Sequence, residues 1–131
     1  MGLRRARRET ILALTSLGGD TMPRDASDLL HGTLDVLILK TLSWGAMHGY
    51  AIAEWIEHRG GGDLVIVDAA LYKALHRLEE AGAITAEWGL SDTNRRAKYY
   101  SLTARGRARL RVECETWKRY ALAVGRIIEA T

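Results

Sequence analysis

Apolar positions recur with helical spacing most clearly in residues 67–82. Leu71, Leu75 and Leu78 lie on one stripe of the predicted helix, so this stripe can be buried against a core. The residues beside the stripe carry hydrogen-bond donors, which predicts a short helix with a donor-rich outer face. These donor residues are Tyr72, Lys73, His76 and Arg77.

The ends of this helix carry recognisable signals, and a β-hairpin follows it. Asp68 is predicted to cap the start, and Gly82 to end the helix in a left-handed turn. Apolar and polar residues then alternate over residues 84–88, which indicates a strand. Residues 89–94 have turn chemistry, and residues 95–102 form the predicted return strand. Three cations, Arg95, Arg96 and Lys98, are expected near the hairpin tip.

Two further helices are predicted upstream. The compact domain is expected to begin near Asp28, and a second helix to run from about His48 to His58. Glycines at 60–62 end that helix, and residues 64–67 form a β-type run long enough for one small strand. The first helix has an apolar face formed by Leu30, Leu34, Leu37, Ile38, Thr41 and Leu42.

The last predicted helix is long, with Thr103 as its cap and an end near Ala130. Its apolar residues are spaced alternately by four and three, which is a heptad seam. We expect a second copy of the chain to cover this seam in a two-fold dimer; the alternative is a helix that only folds back on the first one. The seam consists of Leu110, Cys114, Trp117, Ala121, Val124 and Ile128.

Length and composition allow one core in one principal domain. The chain has 131 residues, 47% of them apolar, with a net charge of +3 and a pI near 9.2. This mild basicity is compatible with nucleic acid without requiring it. The one cysteine, Cys114, excludes an intramolecular disulfide and favours a reducing cytoplasm. No apolar run reaches the length needed to span a bilayer, so no membrane association is expected.

The amino terminus differs from the rest of the chain. Residues 1–27 are predicted to be a flexible basic tail, and the start is not interpreted as a targeting signal. Arg4, Arg5, Arg7 and Arg8 leave open the alternative of a basic arm on DNA phosphates. Comparing DNA affinity with and without residues 1–21 separates these two interpretations.

Nothing in the sequence favours catalysis or a cofactor. The four histidines, at positions 31, 48, 58 and 76, do not occur at a metal-binding spacing. There is no Gly-x-Ser-x-Gly motif, and the three glycines at 60–62 lack the Lys-Ser/Thr of a phosphate loop. We therefore expect no enzyme activity, no metal and no cofactor.

The order of elements favours DNA binding instead. The order helix, helix, short strand, helix, hairpin is that of a winged helix-turn-helix, giving a mainly α fold with a small β-hairpin and a long carboxy-terminal dimerisation helix. A short helix fits the major groove, while flanking cations meet phosphates. Lys73 and Arg77 lie one turn apart on one face, although Arg77 could instead pair with Glu79 or Glu80.

Several motifs in one order resemble the PadR-like transcriptional regulators. They are the stretches 30–40, 47–52 and 70–82, Trp88, residues 95–103, Gly106 and Trp117, and they span about residues 28–128. The resemblance implies a winged-helix domain at 28–102 and a dimerisation helix at 103–131, as in the short subfamily. It also implies a cytoplasmic repressor that responds to small aromatic or cationic compounds. Trp117 is then a candidate for the ligand site, with packing of the dimer core as the alternative.

The chain departs from this family at the start of the recognition helix. Gly-Ser-Leu-Tyr-Pro is usual there, whereas this sequence has Ala69, Ala70, Leu71, Tyr72 and Lys73. The serine hydroxyl is lost and a cation is gained, so the operator or the phosphate contacts are expected to differ.

The predicted function is a dimeric DNA-binding repressor with a pseudo-palindromic operator. The alternative is a winged-helix module that binds protein and does not read DNA. The predicted DNA contacts are Tyr50, Ala69, Ala70, Tyr72, Lys73, Arg77, Arg95, Arg96 and Lys98.

Overall fold

A computed structural model describes the backbone of residues 26–131 and the side chains from Gly32 onward. Within this range the chain forms four helices and a small antiparallel sheet, which confirms the predicted mainly α winged-helix fold. The first helix begins two residues before the predicted start of the domain. Residues 1–25, which include Arg4, Arg5, Arg7 and Arg8 of the predicted tail, lie outside the described range. The elements are α1 (Ala26–Leu42), β1 (Met47–His48), α2 (Gly49–Arg59), α3 (Asp68–Glu80), β2 (Ile84–Leu90), β3 (Arg96–Leu102) and α4 (Ala104–Ile128).

The sheet has the strand order β1-β3-β2 and differs from the prediction in one strand. The hairpin is confirmed, with Ile84 opposite Leu102 and Leu90 opposite Arg96. The strand predicted at residues 64–67 is wrong, because that segment pairs with no strand in the described chain. Its Ile66 N–H donates instead to a carboxylate oxygen of Glu57 at 2.8 Å. The other edge of β3 is taken by β1, a two-residue strand too short to give a sequence signal.

One core joins the helices to the inner face of the sheet. The predicted stripe of α3 is confirmed, since Leu71, Leu75 and Leu78 are fully buried. Burying each of these side chains contributes about 1.5–3 kcal/mol relative to an exposed position, so α3 is held by packing on this stripe. The same core cluster contains Leu34, Ile38, Leu39, Leu42, Ile52, Ile56, Ile84, Tyr100 and Leu102.

The two ends of α3 are built differently. Gly82 has φ of 75°, and the N–H of Ala83 donates to the Leu78 carbonyl at 3.0 Å, which makes a left-handed C-terminal cap as predicted. The predicted cap by Asp68 is wrong. Val67 occupies the N-cap position without a side-chain bond, and Asp68 is the first helical residue. There its negative charge lies at the positive end of the helix dipole.

Helix α4 packs on the domain through its first turns. Thr103 caps it as predicted, accepting the Gly106 N–H at 3.0 Å, and Leu110 packs against the core. Farther along, Trp117 and Ile128 of the predicted seam are exposed in the single chain. No helix in residues 26–131 has both the length and the apolar character to cross a membrane.

Candidate nucleic-acid interface

The outer face of α3 is exposed, as the spacing of its residues predicts. Tyr72, Lys73, His76 and Arg77 all reach solvent, because each lies off the buried stripe. Ala69 is exposed at the start of this face, whereas Ala70 packs partly against the core. The structure therefore brings most of the predicted α3 contacts onto one surface, and makes Ala70 the least accessible of them.

Two tyrosines join the start of α2 to this surface. Tyr72 lies against Gly49 so closely that a Cβ added at Gly49 would be 2.5 Å from the Tyr72 hydroxyl oxygen. Tyr50, the next residue along α2, is exposed beside it. His48 caps α2 by accepting the Ala51 N–H on Nδ1 at 3.2 Å, and its ring meets Tyr99 edge-on. A glycine at 49 is thus required for the observed position of Tyr72.

The hairpin forms the wing, and its tip carries two of the predicted cations. Asn94 adopts a left-handed conformation with φ of 61°, which closes the loop between β2 and β3. Arg95 is exposed in that loop, and Arg96 opens β3. The Arg96 guanidinium lies 4.6 Å from the ring centre of Trp88, whose side chain remains 58% exposed. This stacking holds Arg96 on the wing surface with its charge accessible.

Arg77 has a partner that the sequence did not predict. Its guanidinium donates to Asp35 of α1 at 2.6 Å, rather than pairing with Glu79 or Glu80 on its own helix. The partner lies 42 residues away along the chain, so it could not be found from the helical spacing. Arg77 is thus tied to α1 while it remains on the outer part of α3.

Lys98 also has a partner that the sequence did not predict. It is the third residue of β3, opposite Trp88 and two pairs from the loop end of the hairpin. Its ammonium is 3.7 Å from a carboxylate oxygen of Glu79. Within residues 26–131, the predicted DNA-contacting cations without an ion-pair partner are therefore Lys73, Arg95 and Arg96.

Tyr100 lies beneath this surface and gives a pH-dependent prediction. Burial raises its pKa above the ordinary 10.0, with smaller contributions from Glu79 and Tyr72. The folded state then holds this proton more tightly than the unfolded state, so stability should fall as pH rises through about 10. Urea unfolding at about pH 9 and about pH 11 should show a larger loss for the natural chain than for Tyr100→Phe. Parallel losses in the two proteins would contradict this assignment.

Sequence reasoning missed three residues that shape the surface. Asp35 binds Arg77, Trp88 supports Arg96, and Tyr99 donates its hydroxyl to the Leu90 carbonyl at 2.9 Å, bracing the wing. The sequence does give one indication for Asp35, since it is the only charged residue between Leu34 and Leu39. The partners of Trp88 and Tyr99 depend on the register of the hairpin. No group of three metal-ligating side chains occurs in the described part of the chain.

An exposed helix backed by a three-helix core and flanked by a basic two-stranded wing defines a winged helix-turn-helix protein. The family model for the PadR-like transcriptional regulators matches residues 38–112, more than half of the chain. The chain belongs to the PadR-like family of transcriptional regulators, which are DNA-binding proteins and not enzymes.

Individual proteins and solved structures are also similar to this chain. An uncharacterised protein of Lysinibacillus sphaericus is 36% identical over 92 residues, covering 70% of this chain and 84% of that protein. A transcriptional regulator from Clostridium thermocellum superimposes with a TM-score of 0.71 at 30% identity, covering 78% of this chain and 99% of the other. A PadR family transcriptional regulator from Eggerthella lenta gives a TM-score of 0.68 at 27% identity, covering 95% and 97% of the two chains.

Proposed function

We propose that this protein is a sequence-specific DNA-binding regulator that acts in the cytoplasm as a homodimeric repressor. The observation that carries the proposal is the exposed outer face of α3, with Lys73 on it and the wing cations Arg95 and Arg96 beside it. The α3 residues meet base edges and phosphates in the major groove, and the wing meets the neighbouring backbone. Tyr50 and Tyr72 supply hydroxyl donors at the entrance of α3.

The exposed apolar residues of α4 support the dimeric part of the proposal. Trp117 and Ile128 lie on the heptad seam and are exposed in the single chain. Monomeric soluble proteins rarely expose a large apolar patch, so a partner is expected to cover this seam. A two-fold dimer would place two copies of α3 about 34 Å apart, which is one turn of DNA. The operator is then a pseudo-palindrome.

Release by a ligand completes the proposed mechanism. Trp117 and Tyr120 form an exposed aromatic pair with ring centres 6.0 Å apart, which suits a small aromatic or cationic compound. A compound bound between the two copies of α4 would alter the distance or tilt of the α3 pair. DNA affinity then falls because the ligand favours the arrangement that does not match the operator.

The first test is a fluorescence titration of the full chain against its own promoter and against a scrambled fragment of equal length. Preferential binding to the promoter at moderate salt is the expected result. Binding to neither fragment would refute DNA recognition and favour the protein-binding module instead. Equal binding to both would refute sequence specificity alone.

Replacing the two wing arginines should change the salt dependence of binding. Removing one phosphate contact lowers the magnitude of the slope of log K against log salt by about 0.9. We expect Arg95→Ala/Arg96→Ala to flatten this slope and weaken binding, most strongly at low salt. The matched control is Arg119→Ala/Arg126→Ala, which removes the same charge from exposed positions on α4. Equal slopes for the two double variants would exclude the wing from the interface.

A further inference from the structure

The Asp35 carboxylate on α1 binds one arginine from α3 and one from α4. The proposed function gives these two helices different roles. Asp35 lies on α1 between two buried residues, Leu34 and Val36, and its side chain is only 19% exposed. One carboxylate oxygen accepts from Arg77 of α3 at 2.6 Å. The other accepts from Arg109 of α4 at 3.1 Å. The same group thus contacts the proposed DNA-reading helix and the proposed dimerisation helix.

Arg109 extends this network along α4. Its Nε donates to Glu113, one turn onward, while its Nη2 reaches Asp35. The hydrogen bond to Glu113 raises the pKa of Arg109, and the nearby Asp35 adds to the effect against the opposing influence of burial. The planar guanidinium therefore holds two carboxylates at once, a geometry that a lysine ammonium reproduces poorly.

Arg77 retains the capacity to bind a second group while Asp35 holds it. Its Nη2 is the atom committed to Asp35, and the side chain is 45% exposed on the outer part of α3. A guanidinium has five N–H donors, so the others are available to a phosphate or a guanine edge. Fixing one edge of the group in advance reduces the side-chain freedom lost when DNA binds.

We propose that Asp35 is a positioning residue that orients Arg77 for DNA and makes this orientation depend on the position of α4. The proposal rests on the proposed DNA-binding function and deepens it. Arg77 and Arg109 carry the same charge and meet through the two oxygens of Asp35. A movement of α4 that withdraws Arg109 therefore removes one of the two cations that hold the Asp35 carboxylate. The orientation of Arg77 on that carboxylate then changes.

The direction in which Asp35→Asn changes DNA affinity distinguishes a positioning role of Asp35 from a general electrostatic effect. Asp35→Asn raises the net charge from +3 to +4, which by itself strengthens attraction to DNA. If Asp35 positions Arg77, the variant should instead bind the promoter roughly threefold to tenfold more weakly than the natural chain. Tighter binding by Asp35→Asn would overturn the proposal, because Asp35 would then merely compete with DNA for Arg77.

A mutant cycle tests the link to α4. Arg109→Gln should weaken promoter binding in the natural chain. In an Arg77→Gln or Asp35→Asn background, the same substitution should cost no more affinity than the control Arg119→Gln does. Arg119→Gln is the control, since it removes the same charge from an exposed position of α4 away from the seam. Arg109→Lys keeps the charge and should show part of the loss. Undiminished losses in both backgrounds would overturn the link.

A measurement without DNA keeps this test separate from the proposed function. The Arg77 guanidinium signal in a ¹⁵N NMR spectrum of the full chain should shift in Arg109→Gln and remain in place in Arg119→Gln. An unchanged Arg77 signal in Arg109→Gln would refute the coupling whether or not the protein binds DNA. A shifted signal without promoter binding would uphold the network and refute only its proposed use.

Discussion

Replacing Gly106 with alanine should destabilise the fold by about 3 kcal/mol or more. Gly106 is buried in the first turn of α4, where an added Cβ would lie 2.0 Å from the Ala83 carbonyl oxygen. That oxygen is held in place because it accepts from the Thr103 N–H at 3.1 Å. The Thr103 hydroxyl is 3.0 Å away and shares its one proton with the Gly82 carbonyl at 2.7 Å. Relief of the clash therefore moves α4 or breaks its cap, and the loss exceeds the ~1 kcal/mol that alanine gains in helix propensity.

Urea unfolding at matched protein concentration measures this loss, since the proposed dimerisation would make apparent stability concentration-dependent. Gly32→Ala is the control. Gly32 is an exposed residue of α1, and a Cβ added there meets nothing within 4 Å. The control should gain about 0.5–1 kcal/mol. A Gly106→Ala protein as stable as the control would show that α4 does not approach the β2–α3 corner this closely.

Replacing Trp117 with alanine should weaken the proposed dimer by about 2–4 kcal/mol. The indole ring lies in the middle of the heptad seam and is 45% exposed in the single chain, so a partner helix can bury the remaining surface. Sedimentation equilibrium measures the dissociation constant directly. Val112→Ala is the control, since Val112 is an exposed apolar residue of α4 on the side away from the seam.

The same variant distinguishes the two proposed roles of Trp117. Titration with 4-hydroxybenzoic acid and with a cationic acridine dye provides the comparison. A weakened dimer identifies the ring as part of the interface. An unchanged dimer that no longer binds either compound identifies Trp117 as a wall of the ligand site. An unchanged dimer with unchanged binding would remove Trp117 from both roles.

The proposed DNA surface shows where sequence reasoning is strong. The buried stripe of α3 and the alternation in β2 are short-range patterns, and burial of one face reproduces them in the fold. The donor face of α3 follows from that stripe by geometry alone. Gly82 was also predictable, because a left-handed cap strongly favours glycine.

Errors arose where the deciding partner is distant in sequence. The apolar run at residues 64–67 has strand-like composition, but β1 occupies the free edge of β3. The amino-acid composition of a segment shows that it is apolar but does not show which strand or helix it lies beside. The sequence gives no partner for Lys98, whereas the hairpin register puts it opposite Trp88 and within reach of Glu79. Helical spacing suggests Glu79 or Glu80 as the ion-pair partner of Arg77, whereas the observed partner, Asp35, lies on α1.

By itself the sequence determined the family, the order of the four helices and the hairpin, the buried stripe of α3 and the heptad spacing along α4. These features rest on contacts within one element or on a set of motifs in one order. Only the tertiary structure decided which cations have an ion-pair partner, since these pairs form between elements brought together by the core. Asp35 is the clearest case. Its place beside Arg77 and Arg109 exists only because α1, α3 and α4 pack together, and no local pattern encodes that meeting.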